Sequence, residues 1–275
     1  MQGEWSRWLT AWAGHLAAAG RTDGTISLRR YHLLRCATEV GVGPDMVTAE
    51  HLEVWLGRRG WKASTRRSAL ASIRGFFRWA HRSGRRQDDP AAELLPVRAD
   101  LGKPRPCPES YVLRAVMAAG PRERLMLSLG ASAGLRRAEI ARVRADDVEV
   151  LGGRHELRVR GKGDRTRLIP ISDEFAERLL ARGPGWCFPS PAARGPGHLT
   201  AAHVGKLISR TLPAGWTTHT LRHRFASQAY AVDRDIRAVQ ELLGHASVVT
   251  TQIYTAIPDN ARRRAAAGAD LPLVA

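Results

Sequence analysis

Three fragments near the end of the chain carry side chains suited to holding a phosphate. They are His219-Thr220-Leu221-Arg222-His223, Leu242-Leu243-Gly244-His245, and Tyr254. Thr217 or Thr218 makes a good N-cap, and 221–231 has helical composition without Gly or Pro. His219, Arg222 and His223, at i, i+3 and i+4, then share a face near the start of that helix. A helix N-terminus bearing Arg and His side chains attracts a phosphate. Asp235 reads as the start of a second helix over 236–243, which Gly244 closes in a left-handed cap that presents His245. Ser247 can cap a short third helix over 248–253, and this delivers Tyr254. Singly, each fragment has an ordinary reading: a solvated His-Arg pair, a helix C-cap, a packing tyrosine. Their order and spacing make them informative together, because they fall at two helix starts and one helix end, where side chains can converge.

That order resembles the catalytic region of the tyrosine recombinases, the phage-integrase family. Its hallmark is His-x-x-Arg, then Leu-Gly-His, then a nucleophilic Tyr nine residues on. Here the pattern reads His219, Arg222, His245 and Tyr254, within LRHRFAS and LLGHASVVTTQIYT. Arg224 departs from it, standing where the family usually has a small polar residue. Further upstream, Gly134-Leu135-Arg136-Arg137-Ala138-Glu139-Ile140 is similar to the family's first signature. The resemblance gives Arg136 and Glu139 catalytic roles and leaves Arg137 on the surface. On its own the Arg136–Glu139 pair would be an unremarkable ion pair. Lys162, between Gly161 and Gly163, would normally be a solubilising turn residue. The resemblance makes it the lysine that reaches the active site from a β-turn.

The chemistry implied is attack of a phenol on a DNA phosphodiester. Its transition state gathers negative charge on the non-bridging oxygens. Planar, always-charged guanidinium groups suit those oxygens, and Arg136 and Arg222 supply two. His245 is the expected further donor. A free phenol titrates at about 10, so Tyr254 needs a base or a strongly positive pocket. His219, held by Glu139, is the expected base, and Lys162 the acid for the leaving 5′-oxygen. The 3′-phosphotyrosine intermediate conserves bond energy, so no cofactor is expected, neither ATP nor metal.

The elements that position these groups can be read in outline. The chain has 275 residues and suggests one large or two modest domains. Its hydrophobic content of 44% is enough for real cores. A net charge of +17 favours a polyanionic partner, and nucleic acid before a membrane surface. Cys36, Cys107 and Cys187 are too scattered for a disulfide framework or a zinc set, which fits a reducing cytoplasm. No signal pattern or membrane-spanning apolar run is present in the sequence.

Helical periodicity is expected over 5–19, 25–40, 49–59 and 64–81, with Trp and Phe turned inward. The resemblance makes 1–88 a four-helix core-binding domain that clamps DNA. Its candidate DNA contacts are Arg29, Arg30 and Arg35 on the second helix and Lys62, Arg66, Arg67 and Arg74 on the fourth. A proline-rich linker over 89–107 then leads to a catalytic domain over 108–275. Within that domain, Gly152-Gly153 and the Gly-Lys-Gly-Asp run mark the turns of a small antiparallel sheet over 148–171. The fold expected is therefore mainly α with a small antiparallel β-sheet.

By the resemblance, double-stranded DNA is the partner and a homotetramer assembles on it, with accessory factors in addition. A Xer-like architecture is expected, without an arm-binding domain, and a C-terminal segment docking on a neighbouring protomer. Rival readings are a type IB topoisomerase-like nicking-closing enzyme and a DNA-binding protein without catalysis. The Leu-Leu-Gly-His wording weighs against the first, and Tyr254 with its helpers against the second.

Overall fold

The computed structural model describes residues 2–58, 60–98, 104–161, 166–191 and 197–244. It divides into two compact units, Met1–Leu101 and Gly102–Ala275. The first holds α1 (Gln2–Ala18), α2 (Asp23–Val40), α3 (Ala49–Leu56) and α4 (Ala63–Arg82). Its core is aromatic: Trp5, Trp12, Trp55, Phe76 and Phe77 are buried with Leu9, Leu33 and Ile73. Trp5 stacks on Phe76 with centroids 5.5 Å apart, and Trp12 meets the same ring edge-on at 5.3 Å. Each such ring gives up a large apolar area to the interior, which ties α1 to α4. Thr48 caps α3 by accepting from the His51 amide, and Gly41 closes α2 with φ of 77°. Ala91 and Leu94, beyond α4, are also buried in this core.

The second unit begins with α5 (Glu109–Ala118), α6 (Pro121–Ala131) and the single turn α7 (Arg137–Ile140). Strands β1 (Val148–Leu151), β2 (Arg154–Arg160) and β3 (Thr166–Pro170) form an antiparallel sheet in that order. Gly152 and Gly153, with φ of 57° and 76°, make the β1–β2 turn, where both central residues must be left-handed. Leu157 pairs with Ile169 and Val159 with Arg167, so these four side chains share one face of the sheet. Leu157, Val159 and Ile169 are buried on that face.

Helices α8 (Asp173–Leu180), α9 (Ala201–Thr211), α10 (Thr218–Asp233) and α11 (Ile236–Leu243) follow. Helix α10 packs against α6 closely enough that a Cβ on Gly130 would lie 3.1 Å from Leu221. The molecule is thus mainly helical with one small antiparallel sheet, as the sequence indicates. Among the described residues no helix is long and apolar enough to cross a membrane.

Candidate active site

Between α6 and α7 the chain turns through Gly134, whose φ is 65°. A Cβ there would lie 2.4 Å from the Phe225 ring, so only glycine fits. This turn sets Arg136 at the N-cap of α7 and Glu139 one turn later. The Glu139 carboxylate accepts from the Arg136 amide at 2.8 Å and from Arg136 Nη1 at 2.9 Å. Glu139 is only 3% exposed, whereas the Arg136 side chain is 41% exposed. Arg136 is therefore held at its amide and at one guanidinium nitrogen while still reaching solvent, and Arg137 beside it is exposed, as expected.

Glu139 has a second arginine that the motif does not supply. Arg167 of β3 donates from Nη1 and Nη2 to both carboxylate oxygens, at 3.0 and 2.9 Å. Its Nε donates to the Leu242 carbonyl at the end of α11, at 2.8 Å. One guanidinium thus joins the sheet, α7 and α11. A third arginine, Arg222, lies 3.8 Å from Glu139 and is 2% exposed. It donates to the carbonyls of Gly134 and Leu243, which fix the plane of its guanidinium. Burial alone would hold the proton on Glu139. Hydrogen bonds and charge from Arg167, followed by the Arg136 amide and charge, reverse this and set its pKa at about 2. Three guanidinium groups facing one ionised carboxylate leave the cluster strongly positive.

His219 and His223 project from the first turns of α10, with their Nε2 atoms 2.9 Å apart. Partial burial, then the charges of Arg222 and Arg136, lowers the His219 pKa. His223 is depressed to about 4 by burial, then by His219 and Arg222. The expectation that Glu139 holds His219 needs correcting. The hydrogen bonds of Glu139 go to Arg136 and Arg167, and the ring partner of His219 is His223. Arg224, the departure from the usual motif, fastens α10 to its neighbours. It donates to Glu109 at 2.7 and 2.8 Å and to the Ala131 carbonyl at 2.8 Å.

Of the residues singled out from the sequence, Arg136, Glu139 and Arg222 meet in this cluster, and His219 lies within its field. Lys162, His245 and Tyr254 lie outside the described residues. So does the C-terminal segment expected to dock on a neighbour. Arg167 was missed, although a signal for it existed. Ile169 and Ile171 are apolar at alternate positions, and stepping back once more along the same face reaches Arg167.

The candidate DNA contacts differ in how they are held. Lys62 and Arg67 are exposed, and Arg30 is half-buried on α2. Arg35 pairs with Glu39 at 2.9 Å and lies over Trp61, while Arg29 lies over Trp12. Arg66 donates to the Arg58 carbonyl at 3.3 Å, and Arg74 to that of Leu94.

Residues 112–261 match the model of the phage integrase family. Tyrosine recombinase XerC of Chromobacterium violaceum is 33% identical, over 88% of this chain and 87% of that protein. Tyrosine recombinase XerD of Pseudomonas aeruginosa is 34% identical, over 79% and 78%. Among solved structures, a lambda integrase dimer bound to a COC′ core site is 20% identical with a TM-score of 0.71. It covers 98% of this chain and 79% of that one. The XerH site-specific recombinase bound to its difH substrate, in a pre-cleavage complex, is 22% identical with a TM-score of 0.67. It covers 90% and 80%. Those structures share its two-part fold, and the sequence relationship carries the assignment: the chain belongs to the phage integrase family of tyrosine recombinases.

Proposed function

We propose that this recombinase cleaves DNA with Tyr254 as nucleophile, the scissile phosphate lying on Arg136 and Arg222. The reaction is site-specific DNA recombination, the activity of a tyrosine recombinase. The observation that carries the residue roles is the buried Glu139 hub, which fixes two arginines of the family motif and adds a third. Rigid, preorganised cations stabilise charge that develops on the phosphoryl oxygens without having to reorganise first. The same positive field favours ionisation of a phenol brought to it.

In the step itself, Tyr254 Oη bonds to phosphorus as the bond to the 5′-oxygen breaks. The phenol proton leaves to solvent, and the 5′-oxygen takes a proton from Lys162. His245 adds a donor to the same phosphate. Attack by the 5′-hydroxyl of another strand on the 3′-phosphotyrosine then reverses the bond exchange. The working assembly is four protomers on two duplexes, each C-terminal segment docked on its neighbour, in the cytoplasm. Lys62, Arg67 and Arg30 of the first unit meet the DNA backbone.

The test is covalent trapping on a nicked suicide duplex. Tyr254→Phe is expected to abolish the adduct while DNA binding stays near normal, because only the nucleophilic oxygen is lost. An adduct formed by the Phe variant overturns the assignment of the nucleophile.

A further inference from the structure

The His219–His223 pair contains information about proton placement that follows from hydrogen-bond polarity. The backbone amide of Arg105 donates to His223 Nδ1 at 3.0 Å. An amide nitrogen has no lone pair to offer, so Nδ1 must be the acceptor and carry no proton. A neutral His223 then carries its proton on Nε2. That atom lies 2.9 Å from His219 Nε2, which must in turn be an acceptor. The proton of neutral His219 is left on Nδ1. His219 is exposed, and the described residues give that Nδ1–H no hydrogen-bond partner.

The segment that supplies the amide is itself fastened. The Arg105 guanidinium lies 4.3 Å from the centroid of the Trp216 ring, and the Cys107 amide donates to the Thr220 carbonyl at 3.0 Å. Residues 105–107 are thus tied to Trp216, just before α10, and to the first two turns of that helix. Among the described residues, the groups that face the two rings include each other, Arg222 of the same helix, Arg136 of the α7 turn and the Arg105 amide. Each of these is cationic, neutral or a donor, so none of them favours a second proton on His219. Protonating His219 on Nε2 would also set two N–H groups against each other. The same polarity disfavours the pair as a metal chelate, because ligation through His223 Nε2 would push its proton onto Nδ1, against the amide.

We propose that His223, held by the Arg105 amide, is a positioning residue that keeps His219 neutral with its proton on Nδ1. His219 then presents an N–H donor to the phosphate and does not serve as the resting base for Tyr254. This deepens the proposed function and rests on it only for the identity of the phosphate. The relay joins the first stretch of the second unit to the catalytic helix across 118 residues of sequence. Whatever moves residues 105–107 also alters the donor.

The experiment reads the tautomers by nitrogen NMR of histidine-labelled full-length protein without DNA. His219 is expected as the Nδ1–H form, the minor one in water, and His223 as the Nε2–H form. In His223→Leu, His219 should revert to the Nε2–H form. A comparison that leaves both rings in place is Arg105→Pro against Arg105→Ala. Arg105 precedes Pro106, and a residue in that place favours the extended region that proline accepts. The proline variant removes the amide donor and should release both tautomers, whereas the alanine variant keeps the donor and the wild-type pattern.

Single-turnover cleavage should fall about tenfold or more in His223→Leu and in Arg105→Pro, and much less in Arg105→Ala. A wild-type His219 carrying its proton on Nε2, or tautomers unmoved by loss of the amide, overturns the proposal. An adduct formed by Tyr254→Phe would remove the nucleophile assignment and leave the tautomer result standing.

Discussion

A carboxylate that is 3% exposed ordinarily holds its proton more tightly than one in water, yet Glu139 loses it at about 2. Arg167 accounts for most of the reversal, since it occupies both oxygens. The consequence for pH follows from the sign of the shift. A folded-state pKa below the unfolded value means that the stabilisation is complete above about 4.5. It is lost as pH falls through the folded value of about 2. Arg167→Met leaves the carboxylate to Arg136 and the more distant Arg222, and is expected to destabilise the second unit by about 3 kcal/mol. It should also slow cleavage, because Arg136 and Arg222 then share the full negative charge. Adding Glu139→Gln should cost much less than in the wild type, since the carboxylate left unbalanced is gone. Strictly additive losses in melting and single-turnover assays would show that Arg167 acts apart from Glu139.

The elements bring these side chains together by forced turns and staples as much as by apolar packing. Gly134 is left-handed, leaves no room for a Cβ beside the Phe225 ring and offers its carbonyl to Arg222. Gly134→Ala is therefore expected to cost about 2–4 kcal/mol through backbone strain and overpacking. It should reduce cleavage beyond what the loss of folded protein explains. Equal specific activity of the folded fraction would separate the turn from the chemistry. Much of this scale was legible beforehand. The spacing of Trp and Leu marks α1 to α4, paired glycines mark the β1–β2 turn, and Asp235 and Gly244 bracket α11 as read. The partners that cross between elements were not legible. Arg224 reaches Glu109 and Arg105 reaches His223 over more than a hundred residues, and no local pattern encodes such pairings. Arg167 lay between the two cases. Strand alternation turns it inward, but only the β2–β3 register and the position of α7 show what it meets.

For the whole molecule, a net charge of +17 makes DNA affinity an electrolyte property as well as a matter of shape. Each phosphate neutralised releases condensed counterions, so affinity falls with salt at a slope of about −0.9 per contact on duplex DNA. Which arginines contribute depends on whether they are already engaged. Lys62 and Arg67 are exposed, so each alanine variant should weaken binding to any duplex and lower the salt slope by about one. Arg35 is held by Glu39, which also accepts from Trp55 at 2.7 Å and pairs with Arg58 at 2.8 Å. Removing Arg35 takes a member from that network and the cation from above Trp61. Arg35→Ala is expected to lower the melting temperature of the first unit and leave the salt slope unchanged. Fluorescence anisotropy across a salt series, paired with thermal melts, distinguishes the two kinds of residue. A slope reduced as much by Arg35→Ala as by Lys62→Ala would mean that Arg35 leaves Glu39 to meet a phosphate. The ion-pair network on α2 would then be a resting arrangement that DNA displaces.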